Sequence, residues 1–277
     1  MYTQLQYLWS ELFQQNRTTE SYHRATSRFT YKTYYCRGQR QRRSRQILSN
    51  LSARRSHAAH GYKTAILDAD ITGPSIPKAF GVHKTPEAEG DFLYPDETET
   101  GIKIMSVNLL LDDETTPVLW RGPIIAGTVK QFYSDIIWGD IDYMFIDCPP
   151  GTGDVPLTIF QSIPIDGVVV VTTPQDLVSV IVGKAVHMAD NMNIPVIGMI
   201  ENMSYFICPD CNNKHYIFGK SQLEQVIRDL YIGHAIRLPI NPSLAGLMDR
   251  GEIEHMEANA DLQEFADLIS TFDPDKY

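Results

Sequence analysis

Two stretches constrain the fold more than any others: Tyr62 to Ser75 (YKTAILDADITGPS) and Tyr143 to Asp154 (YMFIDCPPGTGD). Each runs from a short, unbroken apolar segment into a loop of acidic residues, Gly and Pro. Ala65, Ile66 and Leu67 lead to Asp68 and Asp70, while Met144, Phe145 and Ile146 lead to Asp147. Apolar runs of this length, bounded by turn signals, mark strands buried on both faces, as in a parallel sheet. Ligands of open α/β sheets sit at the carboxyl ends of such strands. Carboxylates gathered there suit a Mg²⁺–nucleotide, because Mg²⁺ takes oxygen ligands, keeps several waters and bridges phosphates. One such acid caps a loop about as often as it binds a ligand; three beside two Gly/Pro loops favour the ligand.

The other segments extend the same alternation of strands and helices. Gly167 to Thr173 (GVVVVTT) and Pro195 to Asn202 have the character of further core strands, and Ile104 to Leu110 and Ala235 to Ile240 of two more. Pro123 fits a first helical turn, and Ile125, Val129, Phe132 and Ile136 follow at amphipathic spacing. Helices are also expected over Gln175 to Asn191, over Gln222 to Leu230 and in two stretches near the end. Residues 84–101, rich in Glu, Asp, Pro and Thr, are expected to form an exposed loop, and Asp112 to Pro117 a polar connection. The expected fold is a doubly wound α/β domain with a mainly parallel sheet and helices on both faces. At 277 residues, one such domain has room for a sizeable core.

Charge and cysteine content narrow the function. A net charge of −10 argues against general nucleic-acid binding. No apolar run reaches the ~18 residues of a membrane span, and the start lacks the basic-then-apolar order of a signal peptide. Four cysteines, with only two close in sequence, do not form a disulfide framework, which points to a reducing cytoplasm. The close pair is Cys208 and Cys211 (CPDC). Two thiolates at this spacing grip one edge of a metal site, and soft sulfur suits an Fe–S cluster or Zn²⁺. A structural zinc site needs four ligands, and the nearest extra candidate is His215. Spacing alone leaves three readings open: zinc, redox thiols, or half of a cluster site. Cys148, alone at a buried strand end, is expected to pack rather than ligate.

These residues resemble the Mrp/ApbC-type iron–sulfur cluster carriers, members of the MinD-like, deviant-Walker-A P-loop ATPases. The resemblance runs from Gly61 to about Leu268. It rests on LDADITGPSIPKAFG (67–81), WRGP (120–123), FIDCPPGTGD (145–154), TTPQD (172–176), IENMSYFICPDC (200–211) and FGKS (218–221). It implies that Asp70 orients the attacking water and Asp68 supports the Mg²⁺ shell. Asp147 takes the place of the Walker-B acid. The turn of Gly73, Pro74 and Ser75, and the loop of Gly151, Thr152 and Gly153, correspond to nucleotide-state switches. Asn202 matches the position that meets the adenine base. Cys208 and Cys211 from each of two subunits would supply the four thiolates of a [4Fe–4S] cluster in a homodimer. The implied activity is transfer of that cluster to apo iron–sulfur proteins, with ATP and Mg²⁺ as cofactors and with neither nucleic acid nor membrane as partner. Two alternatives stand beside it: a non-enzymatic zinc- or cluster-binding module, and a MinD/ParA-like partitioning ATPase. The acidic end, TFDPDKY, is not the basic amphipathic helix of a membrane anchor.

The resemblance fails where the superfamily takes its name. In the family, the segment before Tyr62 carries GKGGVGKS, whose backbone N–H groups and lysines hold phosphate. Here residues 36–51 read CRGQRQRRSRQILSNL, rich in arginine and without a Gly-rich turn. Residues 1–60 hold eleven Lys/Arg against two Glu, a balance of +9, so the remainder carries −19. They contain no Asp, Val or Pro, and Gly38 is their one glycine. Advancing the reading frame by one nucleotide permits V-S-G-K-G-G-V-G-K-S over residues 38–48 and a cysteine-rich leader over residues 1–15. We therefore read 1–60 as an aberrant, poorly ordered basic segment of out-of-frame translation, and 61–277 as a carrier domain lacking its Walker A. The chain as written is expected to be deficient in ATPase, and losing the P-loop strand is expected to expose the edges of its neighbours.

Overall fold

The computed structural model describes residues 32–38, 61–71, 75–89, 92–111, 120, 122–174, 178–256 and 259–276. Its strands are β1 (Lys32–Gly38), β2 (Thr64–Asp68), β3 (Ala88–Glu89), β4 (Phe92–Leu93), β5 (Asp96–Glu97), β6 (Lys103–Ser106), β7 (Tyr143–Asp147), β8 (Gly167–Thr172), β9 (Val196–Ile207), β10 (Lys214–His215) and β11 (Ala235–Pro239). The described helices are α1 (Ile76–Ala79), α2 (Gly122–Ser134), α3 (Asp154–Ser162), α4 (Val178–Asn191), α5 (Leu223–Asp229), α6 (Pro242–Arg250) and α7 (Ala260–Thr271).

The main sheet runs β10-β9-β8-β1-β7-β2-β6-β5, with β11 also paired to β9. Every pairing among β6, β2, β7, β1, β8, β9 and β11 is parallel; β5 and β10 add antiparallel edges. Alternation along the central strands sends side chains into two separate cores. Leu67, Met144, Ile146, Val168 and Val170 join one core, which is covered by Ile125, Val129 and Phe132 of α2, Ile159 of α3 and Val186 of α4. Ile66, Phe145, Val169 and Val171 join the other, covered by Ile76 of α1, Leu244 of α6 and Leu262, Phe265 and Ile269 of α7. Helices thus lie on both faces of a mainly parallel sheet, as the unbroken apolar strands require.

The slot between β7 and β8 is filled. Lys32–Gly38 pairs in parallel with both, Cys36 opposite Asp147 and Gly38 opposite Val171. The exposed edges expected there therefore do not arise. Ladder hydrogen bonds come from the backbone, so any extended segment without Pro can supply them, and Thr33, Tyr34 and Tyr35 favour extension. The Arg-rich stretch after Gly38, the rest of residues 1–60, Gly73, Pro74, Asp112 to Pro117 and Gln175 lie outside the described residues.

Three boundaries differ from the sequence expectation. β6 ends at Ser106, and Val107–Leu110 forms a 3₁₀ turn capped by Ser106, whose Oγ accepts from Asn108 N–H at 3.4 Å. β9 continues past Asn202 to Ile207, because β10 pairs with its far end and Ile240 N–H donates to Tyr205 O at 2.7 Å. The acidic stretch 84–101 is broken by three two-residue strands and tethered by Thr98 and Thr100, whose hydroxyls donate to Glu254.

Candidate functional site

The carboxyl ends of β2 and β7 meet in register. Asp68 lies opposite Asp147, and Ala69 N–H donates to the Asp147 carbonyl at 2.7 Å. Asp68, Asp70 and Asp147 are all buried. Burying three carboxylates is costly unless each is paired, hydrogen-bonded or set against a cation. Asp68 is partly accounted for: its carboxylate accepts from Asp70 N–H (3.2 Å), Ile76 N–H (3.4 Å) and Ser106 Oγ (3.3 Å). It therefore shapes the loop that carries Asp70 and anchors the start of α1.

The second loop closes over the same end of the sheet. Gly151 has φ +99°, a conformation that L side chains resist. Gly153 is the N-cap of α3, and Asp154 stands in its first turn. The Asp154 carboxylate packs against Gly122, where an added Cβ would lie 2.4 Å from Oδ2. The WRGP and GTGD segments thus meet at Gly122, where a larger residue would have to displace the Asp154 carboxylate. Asp154 received no role from the sequence, and only this packing reveals it.

Asn202 is buried in β9, three strands from β7 or about 14 Å across the sheet. Its amide Oδ1 accepts from Met203 N–H at 2.9 Å, and Met203 takes φ +59°. Beside it, buried Glu201 accepts from Ser204 Oγ and, at 2.9 Å, from Ser221 Oγ. Arg237 Nε stands 3.7 Å from the Glu201 carboxylate, while its Nη2 reaches Glu224 at 2.5 Å. That guanidinium, chiefly through its hydrogen bond, holds the Glu224 carboxyl below the usual range. This network was missed from sequence. The available signal was a Glu inside an apolar run (VIGMIENM), a residue rarely buried without partners.

Cys208 and Cys211 lie beyond the end of β9, in the tip of the β9–β10 hairpin. From Asn202 to Cys208 is six residues of nearly continuous strand, about 20 Å. The structure therefore does not bring the thiols to the acidic loops. Asn212 N–H donates to Cys208 O at 2.9 Å, and Cys208 N–H to Asn213 O at 3.0 Å. With Asn212 at φ +56°, this turn folds CPDC back on itself. The N–H of Cys211 foremost, then that of Asp210 and the Cys211 thiol, draw the Cys208 thiol below its ordinary titration range. Cys208, Cys211 and His215 offer ligand atoms all within 4.8 Å of one another. Around them Ile207, Tyr216 and Ile217 are exposed at 41, 46 and 60%. Cys148, by contrast, is buried in the core. Among the described residues no helix is long and apolar enough to cross a membrane.

Known proteins align with this arrangement. Residues 47–272 match the ParA family as the NUBPL iron-transfer P-loop NTPase. The iron–sulfur cluster carrier protein of Methanocaldococcus jannaschii is 48% identical over 193 residues, covering 69% of this chain and 67% of the relative. The nucleotide-binding protein of Archaeoglobus fulgidus, solved in complex with ADP and with cobalt found in it, superposes with a TM-score of 0.76 at 34% identity. It covers 90% of this chain and 97% of its own. The cell-division ATPase MinD of Pyrococcus furiosus superposes with a TM-score of 0.61 at 13% identity, over 87% and 99% of the two chains, which shows the shared fold alone.

Proposed function

The chain belongs to the ParA-type iron-transfer P-loop NTPases, and from that premise we propose that it binds an iron–sulfur cluster at Cys208 and Cys211 and passes it to apo-proteins. The observation that carries this reading is the solvent-edge hairpin, which holds two thiols side by side with backbone N–H groups turned toward Cys208. A cluster needs about four thiolates; one chain offers two here, so a homodimer supplies the rest. Exposed Ile207, Tyr216 and Ile217 around the pair support such an interface. Binding at an exposed edge also suits release, since an incoming thiolate of the recipient reaches the iron and each displaced cysteine takes a proton from solvent. Free thiols in this role suit a reducing, cytoplasmic setting.

The acidic end of the sheet fits half of a nucleotide site. Buried Asp68, Asp70 and Asp147 suit Mg²⁺, Gly151 leaves room for a phosphate, and the resemblance assigns the Asn202 amide to the adenine base. The phosphate cradle does not fit. The segment after β1 has neither the glycines nor the lysines of GKGGVGKS, and arginine side chains do not replace backbone N–H groups that only glycine brings close. We therefore derive no ATP-driven step, and this polypeptide is expected to lack ATPase activity. That β1 ends at Gly38, where the advanced frame opens V-S-G-K-G-G-V-G-K-S, supports the reading of residues 1–60 as out of frame.

The test is anaerobic reconstitution of the full chain with iron and sulfide. Cluster absorption should appear at one [4Fe–4S] per two chains and pass to an apo-ferredoxin. Cys208→Ser and Cys211→Ser should each abolish it. Retention of a stable cluster in either variant would sink the assignment.

A further inference from the structure

His215 has no place in a cluster held by four thiolates, yet the hairpin brings it to both cysteines. The register explains how. Lys214 pairs with Ile207 and His215 with Phe206. Successive side chains of a strand point to opposite faces, so Phe206, Cys208 and His215 share one face. Tyr205, Ile207 and Lys214 share the other, where the Lys214 ammonium lies 4.2 Å from the centre of the Tyr205 ring. That cation–π contact keeps the neighbouring positive charge away from the thiols. No hydrogen bond or ion pair engages the His215 side chain among the described residues.

We propose that Cys208, Cys211 and His215 of a single protomer form a three-donor site for one divalent cation of the zinc type, with its fourth position open to solvent. The ligand atoms already lie within 4.8 Å of one another. Tetrahedral zinc, with bonds of about 2.3 Å to sulfur and about 2.0 Å to nitrogen, sets them roughly 3.5–3.8 Å apart. Cys211 and His215 are exposed and Cys208 half-buried, so rotation about side-chain bonds closes the remaining gap without moving the hairpin. Three protein ligands with the fourth position left to water are the pattern of open rather than closed structural zinc sites. On binding, the two thiols lose their protons to solvent and His215 donates as neutral imidazole, so the site with its ion is neutral and nothing is oxidised. The inference goes beyond the shared cluster because it needs no second subunit, and zinc here would take the same two thiolates that the cluster requires.

The experiment titrates the reduced full-length chain with Co²⁺ under nitrogen, then displaces it with Zn²⁺ against a chromophoric chelator, while sedimentation reports the oligomeric state. One ion per chain is expected, with tetrahedral cobalt absorption and sulfur-to-cobalt charge transfer, on a monomer. His215→Ala should weaken binding by at least about 100-fold, since losing an outer-shell partner alone costs 10–100-fold. His215→Cys should keep tight binding and add charge-transfer intensity. Only exposed backbone pairing holds residue 215, so neither change threatens the fold. Half an ion per chain, equal Zn²⁺ affinity in His215→Ala, or no tetrahedral signal overturns the proposal. Cluster reconstitution on the same samples separates the two readings. His215→Ala should retain the cluster, and a parent that binds zinc but no cluster rejects the carrier function alone.

Discussion

Backbone N–H groups of Cys211 and Asp210 converge on the Cys208 thiol, and this one residue shows how a turn tunes chemistry. They favour the thiolate, so the folded-state pKa is depressed. Its contribution to stability is present above the unfolded thiol's pKa and is lost as pH falls through the folded value. Alkylation of the metal-free protein should therefore persist to lower pH at Cys208 than at an ordinary thiol, and shift back upward in urea. Peptide mass spectrometry after timed iodoacetamide treatment reads both profiles; identical profiles in folded and unfolded chain would contradict the turn's role. Cys148, buried in the core, should stay unmodified until the chain unfolds.

At the scale of elements, the site rests on contacts between segments far apart in sequence. α1 follows the Asp68–Asp70 loop, and Gly81 just beyond it lies back to back with Gly251, the left-handed C-cap of α6. A Cβ on Gly251 would stand 2.5 Å from the Gly81 Cα, and its φ of +74° is strained for any L side chain. Gly251→Ala should cost more than about 1 kcal/mol, from strain and from lost close packing. Chemical denaturation measures it, and an unchanged midpoint would mean that the two turns separate freely. α7 offers a comparison without steric conflict. Asn259 Oδ1 accepts from Leu262 N–H at 3.0 Å as its N-cap, so Asn259→Ala should cost about 1 kcal/mol.

For the molecule as a whole, one strand slot separates what backbone pairing supplies from what particular residues must supply. Lys32–Gly38 completes the sheet between β7 and β8, so the platform carrying Asp147 and, at its far end, the cysteine hairpin stays continuous. Continuity is a property of backbone pairing; phosphate binding is a property of particular residues in the loop that follows. The full chain should bind a cluster yet show no Mg²⁺-dependent ATP turnover above background. Replacing Gly38 through Ile47 with V-S-G-K-G-G-V-G-K-S should restore turnover, read as phosphate release. Turnover in the unmodified chain, abolished by Asp147→Asn, would show that the Arg-rich segment holds phosphate after all.

Much of this was legible in the residues. Unbroken apolar runs ending in Asp68 and Asp147 specified a parallel sheet with a polar carboxyl edge, because only strands buried on both faces have no polar alternation. CPDC set two thiols within reach of each other, because thiol spacing is local, and left zinc, redox and cluster readings open. Tertiary structure alone decided that Tyr34, Tyr35 and their neighbours fill the central slot, since backbone pairing is indifferent to whether a sequence belongs there. It alone set Asp154 against Gly122, enclosed Glu201 with Ser204, Ser221 and Arg237, and turned His215 toward the thiols. Each of these joins residues whose partners lie in other elements or across a hairpin, where register and close approach, not composition or spacing, determine what touches.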